Sequence, residues 1–97
     1  MANRLILSAR ATREIGEAYE WYRAQSPRFA EEFLVALDAQ FYIIRTTPQV
    51  YAEAIPRVRR ALLRRFPYAA FYGQRGDVVS VLAVLHTSRA PRRWPRG

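Results

Sequence analysis

The stretch Arg57–Trp94, RVRRALLRRFPYAAFYGQRGDVVSVLAVLHTSRAPRRW, decides the fold. It reads as three short strands followed by a polar, arginine-rich tail. Arg57 to Phe66 mixes arginines with Val58, Leu62 and Leu63, the composition of an exposed, edge-type strand. Pro67 interrupts it, and Tyr68 to Tyr72 is a second β-rich run. Gly73, Gly76 and Asp77 supply the turn chemistry for a hairpin loop of about four or five residues. Val78 to Leu85 is apolar at both parities, as expected of a central strand buried on both faces. From His86 to Gly97 the chain is polar and carries Pro91 and Pro95, so no regular element is expected to persist there.

Upstream, Arg4 to Leu7 (RLIL) is a short apolar run suited to an opening strand, and Ser8 is a suitable helix N-cap. Between Ala9 and Ala24 the apolar positions Ala11, Ile15, Ala18, Tyr19 and Tyr22 recur at helical spacing. Ser26-Pro27 ends this helix and starts the next, with serine as cap and proline at the first helical position. Ala30, Phe33, Leu34, Leu37, Phe41 and Ile44 form one stripe of the second helix. Glu31 and Glu32 are expected in its first turn, where the helix dipole favours anions. Thr47-Pro48 ends it, and Gln49 to Pro56 reads as a connection. So short a break between amphipathic helices implies an antiparallel hairpin. The expectation is one α+β domain over residues 1–97, in the order β-α-α-β-β-β, with an antiparallel sheet of about four strands and the helical hairpin on one face.

Charge is divided unevenly. Residues 57–97 hold ten of the sixteen arginines and one acid, Asp77; the first 56 residues hold six arginines and seven acids. A formal net charge of +8 points to a polyanion or an acidic protein partner. Lysine is absent, which removes Schiff-base and lysine-base chemistry, whereas arginine suits bidentate contact with carboxylate or phosphate. Cysteine is absent and histidine occurs once, so neither disulfides nor a structural zinc site is expected, and no cofactor is implied. The run Val78–Leu85 is far shorter than a membrane span, and Leu5–Leu7 is too short for a signal-peptide core. No membrane association is expected, and the default location is the cytoplasm.

Three groups of residues are candidates for function. The first is the arginines: Arg57, Arg59, Arg60, Arg64 and Arg65 on the first long strand, with Arg57, Arg59 and Arg65 on one face and Arg60 and Arg64 on the other. The tail adds Arg89, Arg92, Arg93 and Arg96. These can grip phosphates or an acidic segment, or merely guard a strand edge. The second is His86, placed where the buried strand exits into the polar tail and able to act as a general acid or base. The third is the aromatic set Phe66, Tyr68, Phe71, Tyr72 and Trp94, which can stack on bases but fits core packing better. No nucleophile elbow and no phosphate-binding glycine loop is present.

RRALLRRFPYAAFY (residues 59–72) and VLAVLHTSRAPRRW (residues 81–94), together with the element order, resemble the RelE/ParE superfamily of toxins from type II toxin–antitoxin systems. Matching features are Tyr22, Pro27, Phe33, Pro48-x-x-Tyr51, Arg59-Arg60, Phe66-Pro67-Tyr68, Tyr72 and His86-x-x-Arg89-x-Pro91-x-x-Trp94. The resemblance implies a toxin neutralised by a small antitoxin with an acidic or amphipathic tail, reaching operator DNA only through that antitoxin. It leaves two targets open: ParE-like members poison DNA gyrase, whereas RelE-like members cut mRNA on the ribosome. Two lysines of the nuclease members fall near Arg60 and Leu62, an arginine falls at Ala69, a second arginine at Arg89, and a tyrosine at Trp94. The nuclease set that remains is Arg60, His86 and Arg89. Under the ParE-like reading, Arg57, Arg59, Arg64, Arg65, Tyr68, Arg92, Arg93 and Trp94 are the expected target- or antitoxin-binding residues. A degenerate toxin kept as an antitoxin-binding module is a third possibility.

Overall fold

Strand β1 (Arg4–Leu7) passes directly into helix α1 (Ala9–Gln25), and Ser8 makes the joint. Its backbone is extended and its hydroxyl oxygen accepts from the Ala11 N–H at 2.9 Å, the cap expected from sequence. The computed structural model describes residues 3–88; Arg89, Arg92, Arg93 and Trp94 lie outside the described residues. Ser26 stands between α1 and α2 (Pro27–Thr46) in extended conformation, with Pro27 opening the second helix. Its side chain makes no cap bond; its N–H closes α1 onto the Tyr22 carbonyl at 2.8 Å. Because α2 begins at Pro27, residues 27–29 fill its first turn, and Glu31 and Glu32 lie beyond it rather than in it. Glu32 instead accepts from Arg28, one turn back, at 3.1 Å.

Strands β2 (Glu53–Ile55), β3 (Val58–Leu62), β4 (Tyr68–Arg75) and β5 (Val78–His86) join β1 in a five-stranded sheet ordered β1-β5-β4-β3-β2. The α+β order is the expected one with a strand added. β2 lies in the stretch read as a connection and pairs antiparallel with β3 through Glu53↔Arg59 and Ile55↔Val58. Three residues of mixed polarity are too short to show a period. β2 therefore occupies the edge in place of β3. β3 is also shorter than the run Arg57–Phe66, because Arg57 and Arg65 both adopt φ 71 and leave the strand on either side. β1 pairs with β5 in parallel, from Arg4↔Val78 to Leu7↔Val81, and the other pairs are antiparallel. The β4–β5 hairpin is tighter than expected: Arg75 pairs with Val78, and Gly76 (φ 59) and Asp77 alone make the turn.

The helices cover one face of the sheet. Tyr22, Phe33, Leu37 and Ile44 pack against Ala61, Ala70, Tyr72, Val79, Val81 and Val84. Val79 and Val81 can share a face with Val84 only because the register shifts: Phe71 pairs with Ala83 and Tyr72 with Val81, so Leu82 is an extra residue. Past Leu7 the outer edge of β5 has no strand beside it among the described residues, and α1 with its cap residue supplies partners there. Ser8 Oγ donates to the Leu82 carbonyl at 2.9 Å, and Glu14 Oε1 accepts from the Val84 N–H at 2.9 Å. Opposite the helices, Ala69 and Phe71 form a second buried cluster with Ala54, Val58 and Leu85. Among the described residues, no helix is long and apolar enough to cross a membrane.

Candidate functional site

The arginines around β3 do not converge. Arg59 alternates with the core residue Ala61 toward the helices; its Nη1 donates to the Tyr51 carbonyl at 2.6 Å and its Nη2 lies 3.9 Å from Glu53. Arg60 leaves the opposite face, paired with Phe71, and its Nε is buried without a hydrogen-bond partner. Arg57 sits in the β2–β3 turn, at the end of the sheet where its carbonyl approaches Gly73; a Cβ at position 73 would lie 3.0 Å from that oxygen. Arg64 and Arg65 lie at the other end, in the β3–β4 connection, both exposed, with Arg65 3.9 Å from Glu32. The described members of the group thus occupy both faces and both ends of the sheet, not one surface.

The Pro48-x-x-Tyr51 element and Tyr72 serve packing. Gln40, 6% exposed, donates to the Leu62 carbonyl at 2.5 Å and accepts from Tyr51 OH at 2.8 Å. Tyr72 OH donates to the Pro48 carbonyl at 2.6 Å. These bonds satisfy buried polar groups and tie the α2–β2 connection to the sheet. Burial raises the pKa of the Tyr72 phenol, against a lowering by the nearby Arg59 charge.

His86 lies on the helix side, where β4 and β5 end. It pairs with Tyr68, their rings edge-to-face at 5.2 Å between centroids. Tyr68 packs in turn against Phe33 at 5.3 Å and Tyr22 at 6.1 Å, and Phe66 closes the cluster 5.2 Å from Tyr22. Burial, and secondarily the neighbouring Tyr68, raises the pKa of Tyr22. Nδ1 of His86 accepts from the Ser88 N–H at 3.1 Å and lies 2.8 Å from Ser88 Oγ. In the neutral ring that leaves the proton on Nε2.

This histidine borders a cleft of about 650 Å³ between α1 and the ends of β4 and β5. Tyr22, Tyr68 and Val84 form apolar walls, Pro67 and His86 border it, and Trp21, 59% exposed, projects at its rim. Glu14 and Glu17 also line it, and no arginine does among the described residues. Glu14 is committed to the fold, because it holds the Val84 N–H with one oxygen and Arg10 Nε with the other at 3.0 Å. Glu17 makes no hydrogen bond or ion pair among the described residues. The sequence alone does not single out Glu14, Glu17 or Trp21 as functional residues. Their spacing, Glu14-x-x-Glu17-x-x-x-Trp21, does put them on one face of α1, but nothing local says that this face meets His86.

Arg60 and His86, two of the three residues of the reduced nuclease set, therefore project from opposite faces of the sheet. The third, Arg89, lies outside the described residues. Tyr68, expected at a binding surface, is half-buried within the aromatic cluster, with its edge turned to His86.

Residues 5–91 match the ParE toxin family of type II toxin–antitoxin systems, parDE, and the chain belongs to that family. Its fold is similar to that of a solved chain from a chromosomal ParDE toxin–antitoxin system of P. aeruginosa, with a TM-score of 0.77 and 19% identity over 88% of this chain and 96% of that one. No curated protein matches the sequence.

Proposed function

We propose that this toxin inhibits growth through a protein target, DNA gyrase or a comparable enzyme, and that a cognate antitoxin neutralises it. The observation that carries this reading is the surrounding of His86. Cleavage of a phosphodiester needs preorganised cations where negative charge develops. The cleft that His86 borders is lined by two carboxylates and, among the described residues, by no arginine, and Arg60 is on the far side of the sheet. Leu62 and Ala69, where the nuclease members carry cations, are apolar, and they pair with each other across β3 and β4. The antitoxin rests on family membership and on the similar fold from a ParDE system. Operator DNA is reached through the antitoxin, and the place of action is the cytoplasm, where gyrase works.

A supercoiling assay with purified gyrase tests the target. Inhibition by the purified toxin, relieved by the antitoxin, is expected; unaltered supercoiling at excess toxin removes gyrase. The companion experiment is His86→Ala. Growth arrest on induction should persist without new mRNA ends. Loss of arrest together with loss of codon-spaced cuts would instead establish ribosome-dependent cleavage.

A further inference from the structure

Three helix carboxylates are neutralised by arginines on their own helix: Glu14 by Arg10, Glu20 by Arg23 and Glu32 by Arg28. Among the described residues Glu17 is not, although Arg13 stands one turn before it; Glu31 and Asp38 also lack an arginine partner there. Glu17 stands one turn from Trp21, whose indole is 59% exposed, at the rim of the cleft bordered by Tyr68 and His86. A free carboxylate beside an exposed indole face, above aromatic walls, is the chemistry that receives a guanidinium or ammonium group. The carboxylate pairs with the charge, the ring face attracts the cation, and the apolar walls hold the aliphatic stem. On a molecule of net charge +8, a cleft with one unpaired carboxylate and no arginine in its described lining is also a place where a partner's positive charge meets attraction rather than repulsion.

We infer that this cleft seats an arginine or lysine side chain of the antitoxin segment that binds the toxin, clasped between Glu17 and Trp21. The inference rests on the antitoxin reading above and adds a contact opposite in sign to the acidic or amphipathic tail expected to meet the toxin's arginines. The partner segment would then carry both signs: acids for the arginine-bearing ends of the sheet, and one cation for the cleft.

The test is isothermal titration of the folded toxin, bearing Glu17→Arg, Glu17→Gln or Trp21→Ala, with the antitoxin encoded beside it; Asp38→Asn, an exposed acid on α2, is the control. Glu17→Arg should weaken binding about tenfold or more, Glu17→Gln and Trp21→Ala less, and the control should bind as wild type. Reversing the matching arginine or lysine of the antitoxin to glutamate should restore affinity to Glu17→Arg. Wild-type complex formation with unchanged affinity of Glu17→Arg overturns the cleft assignment while leaving the antitoxin reading intact. Absence of any complex with the wild-type toxin overturns both. If Glu17→Arg instead changes the mass of the toxin alone by light scattering, the cleft receives a second copy of this chain and the assignment to the antitoxin is wrong. Both substituted side chains are exposed, so circular dichroism melting should show the variants folded.

Discussion

The arginine-bearing strand β3 and the cleft beside His86 use charge in opposite ways. Around β3, five arginines within nine residues of sequence are dispersed over two faces and two ends of the sheet. At the cleft, two acids of α1 and a histidine near the end of the described chain, far apart in sequence, are brought together. Density of charge along a chain therefore says little about density of charge on a surface. Strand alternation and the two left-handed arginines disperse the first group, and packing of α1 on β5 gathers the second.

Phe33→Ala, beneath the cleft, should have the largest effect, about 3–5 kcal/mol of stability lost in urea denaturation, because it removes a fully buried ring from the aromatic cluster. A loss under about 1 kcal/mol would mean that the cleft floor is not packed as described. Next comes a contrast between neighbouring acids. Glu14→Ala should cost about 1–3 kcal/mol by orphaning the Val84 N–H and Arg10, whereas Glu17→Ala should stay within about 0.5 kcal/mol. Equal costs would erase the distinction between a structural and a free carboxylate. At the arginine strand, Arg57→Gly and Arg65→Gly should each raise stability by about 0.5–1 kcal/mol, since glycine adopts φ 71 without the side-chain penalty. No gain in thermal melting would argue against the two turns that disperse the arginines.

The mildest test is alkaline. Tyr22 and Tyr72 have folded-state pKa values raised above 10.0, chiefly by burial, so the folded chain keeps these protons where the unfolded chain releases them. Their contribution is complete below pH 10 and is lost as pH rises through the folded values. Stability measured by urea titration should fall only above that pH, in step with tyrosinate absorbance. A flat profile there would place both phenols in solvent.

Much of the fold could be read from local sequence. The Ser8 cap, the Ser26-Pro27 break and the stripe Ala30, Phe33, Leu37 and Ile44 act within a turn or two of chain, and each lies where its spacing implied. β2 escaped notice because its pairing comes from β3 and not from its own three residues. The parallel β1–β5 pair and the extra residue at Leu82 likewise depend on partners far along the chain.

The site divides in the same way. His86 could be singled out as the lone histidine at a strand exit, and the arginines could be counted. What the sequence determined by itself was the set of helices, the strand-forming stretch and the excess of positive charge, since these follow from propensity, period and composition. Only the tertiary structure decided which charges share a surface. Glu14 reaches Val84 across 70 residues, and that packing carries Glu17 and Trp21 to His86 while the sheet separates His86 from Arg60. The physical reason is that side-chain direction is fixed by register and helix docking, which are properties of the assembled chain.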